Sequence, residues 1–487
     1  MDSVQLEKAR LARDPRFDGK FFIGVKTTGI YCRPICKVKM PLAKNITLYH
    51  SAAAAAEAGF RPCLRCRPEA APGTPAWMGT STTVKRALRL VSEGALDKGG
   101  VNALSDRLGV TSRHLSRLFD EHIGASPNAV AQTRRLHLAK KLLDETDLSM
   151  IDVAMSAGYQ SVRRFNDHFK SVYKRVPSEV RKVAGQKKIN KLSFFSQALD
   201  DESGFQLKLA YRPPYDFAGV LNFLRVRAIP DVEFVSEDTY TRTISIGGES
   251  GSLSVRNNEA ENCLSIHLIL REANLLVSAL EKIKHLFDLN ADPYKISQDF
   301  DGDSILSDLV VQNPGQRVPG AWEPFEIAVR AIVGQQVSVV GATTVMGRIA
   351  KTYGQQTPWG LRFPTPKELT CLDVTQMSMP RKRAAAIKEM SRLVDRGELS
   401  FDAAIEIDSL ITQLVAIKGI GPWTAQYIAM RSLGDPNAFL HGDLVLLKVV
   451  KQKFGIDSDK ALLERSLAWQ PWRAYAGMHL WRQAATL

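Results

Sequence analysis

Between residues 100 and 180 the apolar side chains return every three or four positions, in two similar stretches. In VNALSDRLGVTSRHLSRLFDEHIG, Leu104, Leu108, Val110, Leu115, Leu118 and Phe119 fall at helical spacing around Gly109. About 48 residues on, SMIDVAMSAGYQSVRRFNDHFKSVYKRVPSEVRK repeats the arrangement, with Gly158 at the break and Phe165 and Phe169 facing inward. Each stretch predicts two helices joined by a tight glycine turn. Over residues 205–303 the period shortens to alternating runs: FQLKLAY, LRVRAI, RTISIG, GSLSV and LSIHLIL. These predict strands of an antiparallel sheet, with a helix over 275–287. Beyond Pro319 the pattern is helical to the end, broken by Gly and Pro at short intervals. Proline and glycine over 68–79 and the polar, basic run over 185–191 read as linkers.

At 487 residues, with 45% hydrophobic and 24% charged, the chain has the length and apolar content of several globular domains, and whole-chain disorder is excluded. It lacks an apolar run long enough to span a bilayer, and its first residues lack a signal-peptide core, so a soluble, cytoplasmic protein with no membrane partner is expected. The net charge of +14 is unevenly spread: +7 over residues 1–79, +10 over 80–192, −8 over 193–322 and +5 over 323–487. Basic ends around an acidic middle suggest modules that face a polyanion, nucleic acid first among them.

Four of the six cysteines lie within 35 residues, as Cys32-x3-Cys36 and Cys63-x2-Cys66. Two short-spaced pairs can close a tetrahedral Zn2+ site. Four unrelated buried cysteines, or a purely structural zinc, are the competing explanations. TTGIYCRPICK and GFRPCLRCRP resemble the Ada-type methyl-phosphotriester repair domain over about residues 5–70. The resemblance implies that Cys32, Cys36, Cys63 and Cys66 bind one Zn2+ and that Cys32 also accepts a methyl group from a DNA phosphotriester. The chemistry suits a thiolate, the nucleophilic form of cysteine. Four thiolates on Zn2+ sum to −2 and one methylation leaves −1, so DNA affinity is expected to rise on methylation.

The helical doublet and its closing R-x-P-S-x-x-R resemble the AraC-type DNA-binding domain over about 84–184. Recognition helices would begin near Ser112 and Ser161. Arg113, His114 and Arg117 on the first, and Arg163, Arg164 and Asn166 on the second, are then candidates for major-groove contacts. The alternative is a small bundle with a solvated basic face.

Residues 205–318 offer no catalytic constellation, and Cys263 and His267 read as ordinary sheet residues. YRPPYDFAGVLNFLRVRAIPDVE resembles the N-terminal α+β domain of AlkA-type 3-methyladenine DNA glycosylases. Tyr215 and Phe217 are expected in the core there, with a place beside the base pocket as the alternative.

LVAIKGIGPWTAQYIAM and RSLGDPNAFLHGDLVLLKVV hold the most chemistry. Gly419 and Gly421 let a backbone approach phosphate at a helix start. With Gly442-Asp443 twenty residues later, RAIVGQQVSV before and WRAYAGMHLW after, the stretch 319–484 resembles the helix-hairpin-helix/GPD family of base-excision glycosylases. That resemblance makes Asp443 the catalytic carboxylate, against the plain alternative of an N-cap. An anion there stabilises the oxocarbenium character that develops as the N-glycosidic bond breaks. Trp423 stands where bifunctional members carry lysine, which implies a monofunctional hydrolase. Trp423 and Tyr427 are spaced i, i+4 on one helical face, and with Trp481 they match the family's aromatic pocket. Trp469 and Trp472 are expected in the core. Gln336 replaces the usual leucine-like wedge. Hairpin carbonyls around 417–421 could hold a monovalent cation. The chain has no Pro-Cys-His-Arg motif, so direct repair of O6-methylguanine is not expected.

The expectation is a multidomain chain. A small zinc-bound α+β domain (1–78) is followed by an all-α double helix-turn-helix domain (79–190), an antiparallel-sheet α+β domain (203–318) and an all-α helix-hairpin-helix glycosylase domain (319–487). Its function would be excision of 3-methyladenine and similar bases from double-stranded DNA, fused to a methylation sensor that binds promoter DNA and works with RNA polymerase. The alternative is a methylation-responsive transcription factor whose C-terminal half only holds DNA.

Overall fold

The computed structural model describes residues 3–72, 82–188, 204–373, 379–402 and 404–484. Much of the expected linker over 68–79, and the last residues of that over 185–191, lie outside these. The chain divides into two compact units, Met1–Arg212 with Asn258–Glu281, and Pro213–Asn257 with Lys282–Leu487. Among the described residues no helix is long and apolar enough to cross a membrane.

The first unit opens on a small sheet of strands Phe22–Val25, Ile30–Cys32, Ile46–Tyr49 and Arg61–Pro62. The third strand lies at one edge, beside the first, which pairs with the second. The last strand runs parallel to the second, with Tyr31 opposite Pro62. The alanine run after Ser51 becomes the helix Ala52–Glu57 because the serine hydroxyl accepts from Ala54 N. Its Ala55 packs on Phe22 and Tyr31.

The helical doublet follows as expected. Helices Val101–Arg107 and Ser112–Ile123 form the first motif, Met150–Ser156 and Val162–Tyr173 the second, and the long helix Pro127–Glu145 runs between them. Thr111 caps helix Ser112–Ile123 by accepting from His114 N, and Ser161 caps helix Val162–Tyr173 by accepting from Arg164 N. Gly158 takes a positive φ of 92°, and a Cβ there would stand 2.4 Å from the Asp97 carboxylate, so the turn requires glycine. Asp97 is itself held by ion pairs to Arg134 and Arg135. Helix Pro177–Lys188 extends into the run expected to be linker.

Four of the five expected strands form. Phe205–Ala210 and Cys263–Ile269 pair antiparallel, Leu207 opposite Ile266, in the first unit. In the second unit Glu233–Val235, Thr239–Ile246 and Glu249–Asn258 make an antiparallel meander with Tyr240 opposite Val255. LRVRAI is not a strand. Its first two residues end the helix Phe217–Arg225, capped by Asp216 accepting from Gly219 N. Phe217, Val220, Leu221 and Leu224 are buried on one face of that helix, so the 3.6-residue period prevails over local alternation.

Among the described residues the regular structure in the rest of the second unit is helical except for a short hairpin, Gln355–Thr357 with Gly360–Arg362, that the sequence pattern did not indicate. Helix Pro324–Val333 is buried from Phe325 onward, including Glu326 and Arg330. Glu326 pairs with Arg242 at 2.8 Å, and Arg330 donates to Arg227 O. Burial is the largest influence on both groups, pushing the Glu326 carboxyl up and the Arg330 guanidinium down, and the Arg242 partner offsets only part of the cost for Glu326.

Candidate catalytic pocket and metal centre

Helices Ile407–Ala416 and Pro422–Ser432 form the expected hairpin. Gly419 sits between them at φ 101°, in a conformation that side chains disfavour. Gly421 is the N-cap of the second helix, and Pro422 at its first position needs no N–H partner. Gln335 locks the neighbouring loop to this turn: its amide Nε2 donates to Gly419 O and to Thr424 Oγ1, both at 2.9 Å.

Asp443 is the N-cap of helix Leu444–Phe454. Among the described residues its carboxylate accepts four hydrogen bonds. Oδ1 takes Val445 N and Leu446 N at 3.0 Å and the Trp481 indole N–H at 3.0 Å, and Oδ2 takes the Trp423 indole N–H at 3.1 Å. The expected cap and the expected pocket are therefore the same site. Trp423 stacks on Tyr427, with ring centroids 5.5 Å apart and planes 18° apart, and Trp481 stands 6.5 Å from Tyr427. Tyr427 is buried, and its hydroxyl accepts from Arg431 at 2.8 Å. Burial pushes its phenol up, but the guanidiniums of Arg431, Arg227 and Arg330 outweigh that and hold it below the ordinary tyrosine value.

Gln336 is exposed at φ 50°, beside Val337 and Val340, which are exposed too. Its neighbour Gln335 is instead tied inward, to Gly419 O and Thr424 Oγ1. Trp469 and Trp472 are buried, their indoles donating to Asp303 and Asp299. Phe217 is a core residue, and the Tyr215 hydroxyl donates to Phe287 O.

In the first unit the sulfurs of Cys32, Cys36, Cys63 and Cys66 all lie within 4.8 Å of one another. A tetrahedron with Zn–S distances of about 2.3 Å has edges of about 3.8 Å, so this all-thiolate set fits zinc. Strand pairing brings the two cysteine pairs together, since Cys32 ends the second strand and Cys63 N donates to Tyr31 O. Arg33 packs behind the cluster, ion-paired with Asp18 and donating to Cys66 O at 3.1 Å. Its fixed positive charge offsets part of the thiolate charge.

Arg113 and Arg117 are exposed on helix Ser112–Ile123, with Arg117 bonded to His114 at 3.2 Å. Arg163, Arg164 and Asn166 are exposed on the second, and Phe165 and Phe169 are buried beneath them.

Four family models match in order: the metal-binding domain of Ada over 5–69, a helix-turn-helix domain over 104–183, the AlkA N-terminal domain over 206–323 and the HhH-GPD superfamily of base-excision DNA repair proteins over 329–474. A Mycobacterium tuberculosis protein named "Probable bifunctional transcriptional activator/DNA repair enzyme AlkA" is 37% identical over 99% of this chain and 96% of its own length. The chain belongs to the Ada–AlkA fusion family. DNA-3-methyladenine glycosylase 2 of Escherichia coli is 32% identical, matching 56% of this chain and 95% of its own. A solved 3-methyladenine DNA-glycosylase from Archaeoglobus fulgidus shares the fold, with a TM-score of 0.52 at 20% identity over 57% of this chain and 98% of its own. The clustered cysteines of the Ada module make an all-cysteine zinc site.

Within the Ada–AlkA frame, Asp443, Trp423, Tyr427 and Trp481 come together, and so do the four cysteines. Sequence reasoning missed Gln335 as an anchor and missed the two indole N–H bonds to Asp443. Neither left a signal in the sequence, because both depend on which way a side chain points after folding.

Proposed function

We propose that this protein is a monofunctional DNA-3-methyladenine glycosylase fused to a methyl-phosphotriester sensor that activates transcription. The observation that carries the first half is the Asp443 carboxylate, fixed by two indole N–H groups of an aromatic cluster. An alkylated purine extruded from the duplex is cationic and stacks on Trp423 and Tyr427. As its glycosidic bond breaks, positive charge moves to the sugar, where Asp443 stabilises it, and water captures the sugar to leave an abasic site. Tryptophan at position 423 offers no amine for a Schiff base, so strand cleavage does not follow. Gly419 and Gly421 hold the DNA backbone, and the exposed tip at Gln336 faces the gap left by the base.

In the sensor half, bound Zn2+ keeps the cysteines deprotonated. Cys32 Sγ attacks the methyl carbon of a phosphotriester; the S–C bond forms and the C–O bond breaks, its electron pair staying on the phosphate oxygen. The acceptor is consumed. Arg113, Arg117, Arg163 and Arg164 hold promoter DNA, and RNA polymerase is the partner of the activated state.

The test is release of 3-methyladenine from methylated duplex DNA by the full chain and by Asp443→Asn. Release by the wild type with loss of at least about a hundredfold in the variant supports the glycosylase. No release by folded wild type reduces the C-terminal half to a DNA clamp. Mass spectrometry after incubation with methylated DNA tests Cys32, where an added methyl group is expected.

A further inference from the structure

We propose that Arg227, Arg330 and Arg431 form a positive wall at the end of the aromatic pocket away from Asp443, and that the field between this wall and the carboxylate drives electrons onto the departing base. The proposal deepens the glycosylase reading of the pocket and rests on it. On helix Pro422–Ser432, Trp423, Tyr427 and Arg431 follow one another at i, i+4 and i+8, about 12 Å along one face. Trp423 donates to Asp443 at one end of this row, and at the other Arg431 donates to the Tyr427 hydroxyl at 2.8 Å. An anion marks one end of the aromatic cluster and a cation the other.

Arg431 is one of a group. The Phe223 ring lies 3.8 Å from the Arg227 guanidinium and 4.7 Å from that of Arg431, and Arg330 donates to Arg227 O. The other partners of the three are neutral: Pro319 O and Gly320 O for Arg431, Phe223 O for Arg227, Thr343 Oγ1 for Arg330. The nearby carboxylates serve a fourth arginine, with Glu326 at 2.8 Å and Glu233 at 3.6 Å from Arg242. All six charged residues line one small cavity, where four guanidiniums face two carboxylates and leave two positive charges in excess. Such an excess costs stability, which points to a use beyond holding the fold. The Tyr427 phenol registers the field, since the three guanidiniums outweigh its burial and hold it below the ordinary tyrosine value.

As the C1′–N bond breaks, its electron pair moves onto the base, whose charge falls by one while that of the sugar rises by one. A cationic methylated base leaves neutral; a neutral base leaves as an anion and takes a proton from water. The oxygen of another water then bonds to C1′ and sheds its proton to solvent. Cations behind the base and an anion beside the sugar favour that shift of charge for both kinds of base. The wall also repels a cationic base before the bond breaks, so for such a base it raises kcat and KM together. The macrodipole of helix Pro422–Ser432 runs the opposite way, but at about half a charge per end it is outweighed by whole guanidinium charges.

Arg431→Gln keeps an amide donor and removes the charge, whereas Arg431→Lys keeps the charge. For release of 3-methyladenine from methylated duplex DNA by the full chain, kcat should fall about tenfold in Arg431→Gln, with KM falling too, and stay within about threefold of the wild type in Arg431→Lys. A duplex carrying hypoxanthine, a neutral base, should lose kcat without the fall in KM. An unchanged kcat in Arg431→Gln, or equal losses in the Gln and Lys variants, would overturn the proposal. If the Arg431 variants fail to fold, Arg227→Gln should move kcat and KM in the same directions. One readout needs no turnover: the Tyr427 phenol, isolated by subtracting the titration of Tyr427→Phe, should ionise at higher pH in Arg227→Gln than in the wild type. An unmoved phenol with normal base release sinks the wall alone, and no release by the folded wild type sinks the glycosylase reading and the proposal with it.

Discussion

The Trp481 indole donates to Asp443 Oδ1 across 3.0 Å, from the last helix of the chain to the N-cap of a helix 38 residues earlier. A side chain expected to stack on the base thus also aims the carboxylate. Trp481→Phe keeps an aromatic face and removes the N–H. A hydrogen bond to a charged group contributes about 1.5–3 kcal/mol, so kcat for 3-methyladenine release should fall by about 10- to 100-fold. KM should change little. A kcat for Trp481→Phe equal to that of the wild type would mean that the N–H contributes nothing.

Gly419 has a φ of 101°, and a Cβ there would lie 3.2 Å from Ala386 Cβ and 3.4 Å from Lys382 O. Gly419→Ala should cost about 1 kcal/mol or more of stability in the second unit. It should also weaken duplex binding several-fold, because the turn can no longer bring its backbone to phosphate. Calorimetry and fluorescence anisotropy measure the two effects separately.

Zinc removal should act on one unit. The small sheet has a core of few residues, among them Phe22, Tyr31 and Ala55, and its four cysteines meet in one cluster that a metal would hold together. Cys63→Ser should therefore abolish zinc binding and lower the melting temperature of the sensor half. Base release, if it belongs to the pocket around Asp443, should persist.

His137 predicts a pH dependence. Burial pushes its imidazole down from the ordinary 6.5 to about 4; Glu69 opposes this and Lys140 adds to it. The other group facing its ring is the Tyr31 hydroxyl. Between those pH values the unfolded chain binds the proton and the folded one does not, so stability rises with pH. The contribution is fully present above about pH 6.5 and is lost as pH falls to about 4, amounting to about 3 kcal/mol. Urea melts of the wild type and His137→Gln over that window should converge towards the acid end. Parallel curves would place the proton elsewhere.

Local chemistry explains how far the sequence reaches. The cysteine spacing, the Gly109 and Gly158 turns, the Ser161 cap and the Gly419 hairpin each depend on residues close together in the chain, so each could be read directly. LRVRAI failed because alternation over six residues competed with a helical face that begins earlier, at Phe217. The Gln355–Arg362 hairpin failed because three-residue strands carry too little pattern to register.

Sequence by itself determined the four modules, their order and the cysteines that make the zinc site, and it singled out Trp423, Tyr427, Trp481 and Asp443 as candidates, because motif chemistry is encoded in residue type and spacing. Tertiary structure alone decided that Trp423 and Trp481 turn their N–H edges to Asp443 and that Gln335 faces inward, not outward. It also decided that Tyr31, Arg67 and Glu69 are buried against the long helix. Those outcomes depend on side-chain direction and on which charges must find partners once water is excluded, and neither is set until distant segments have packed.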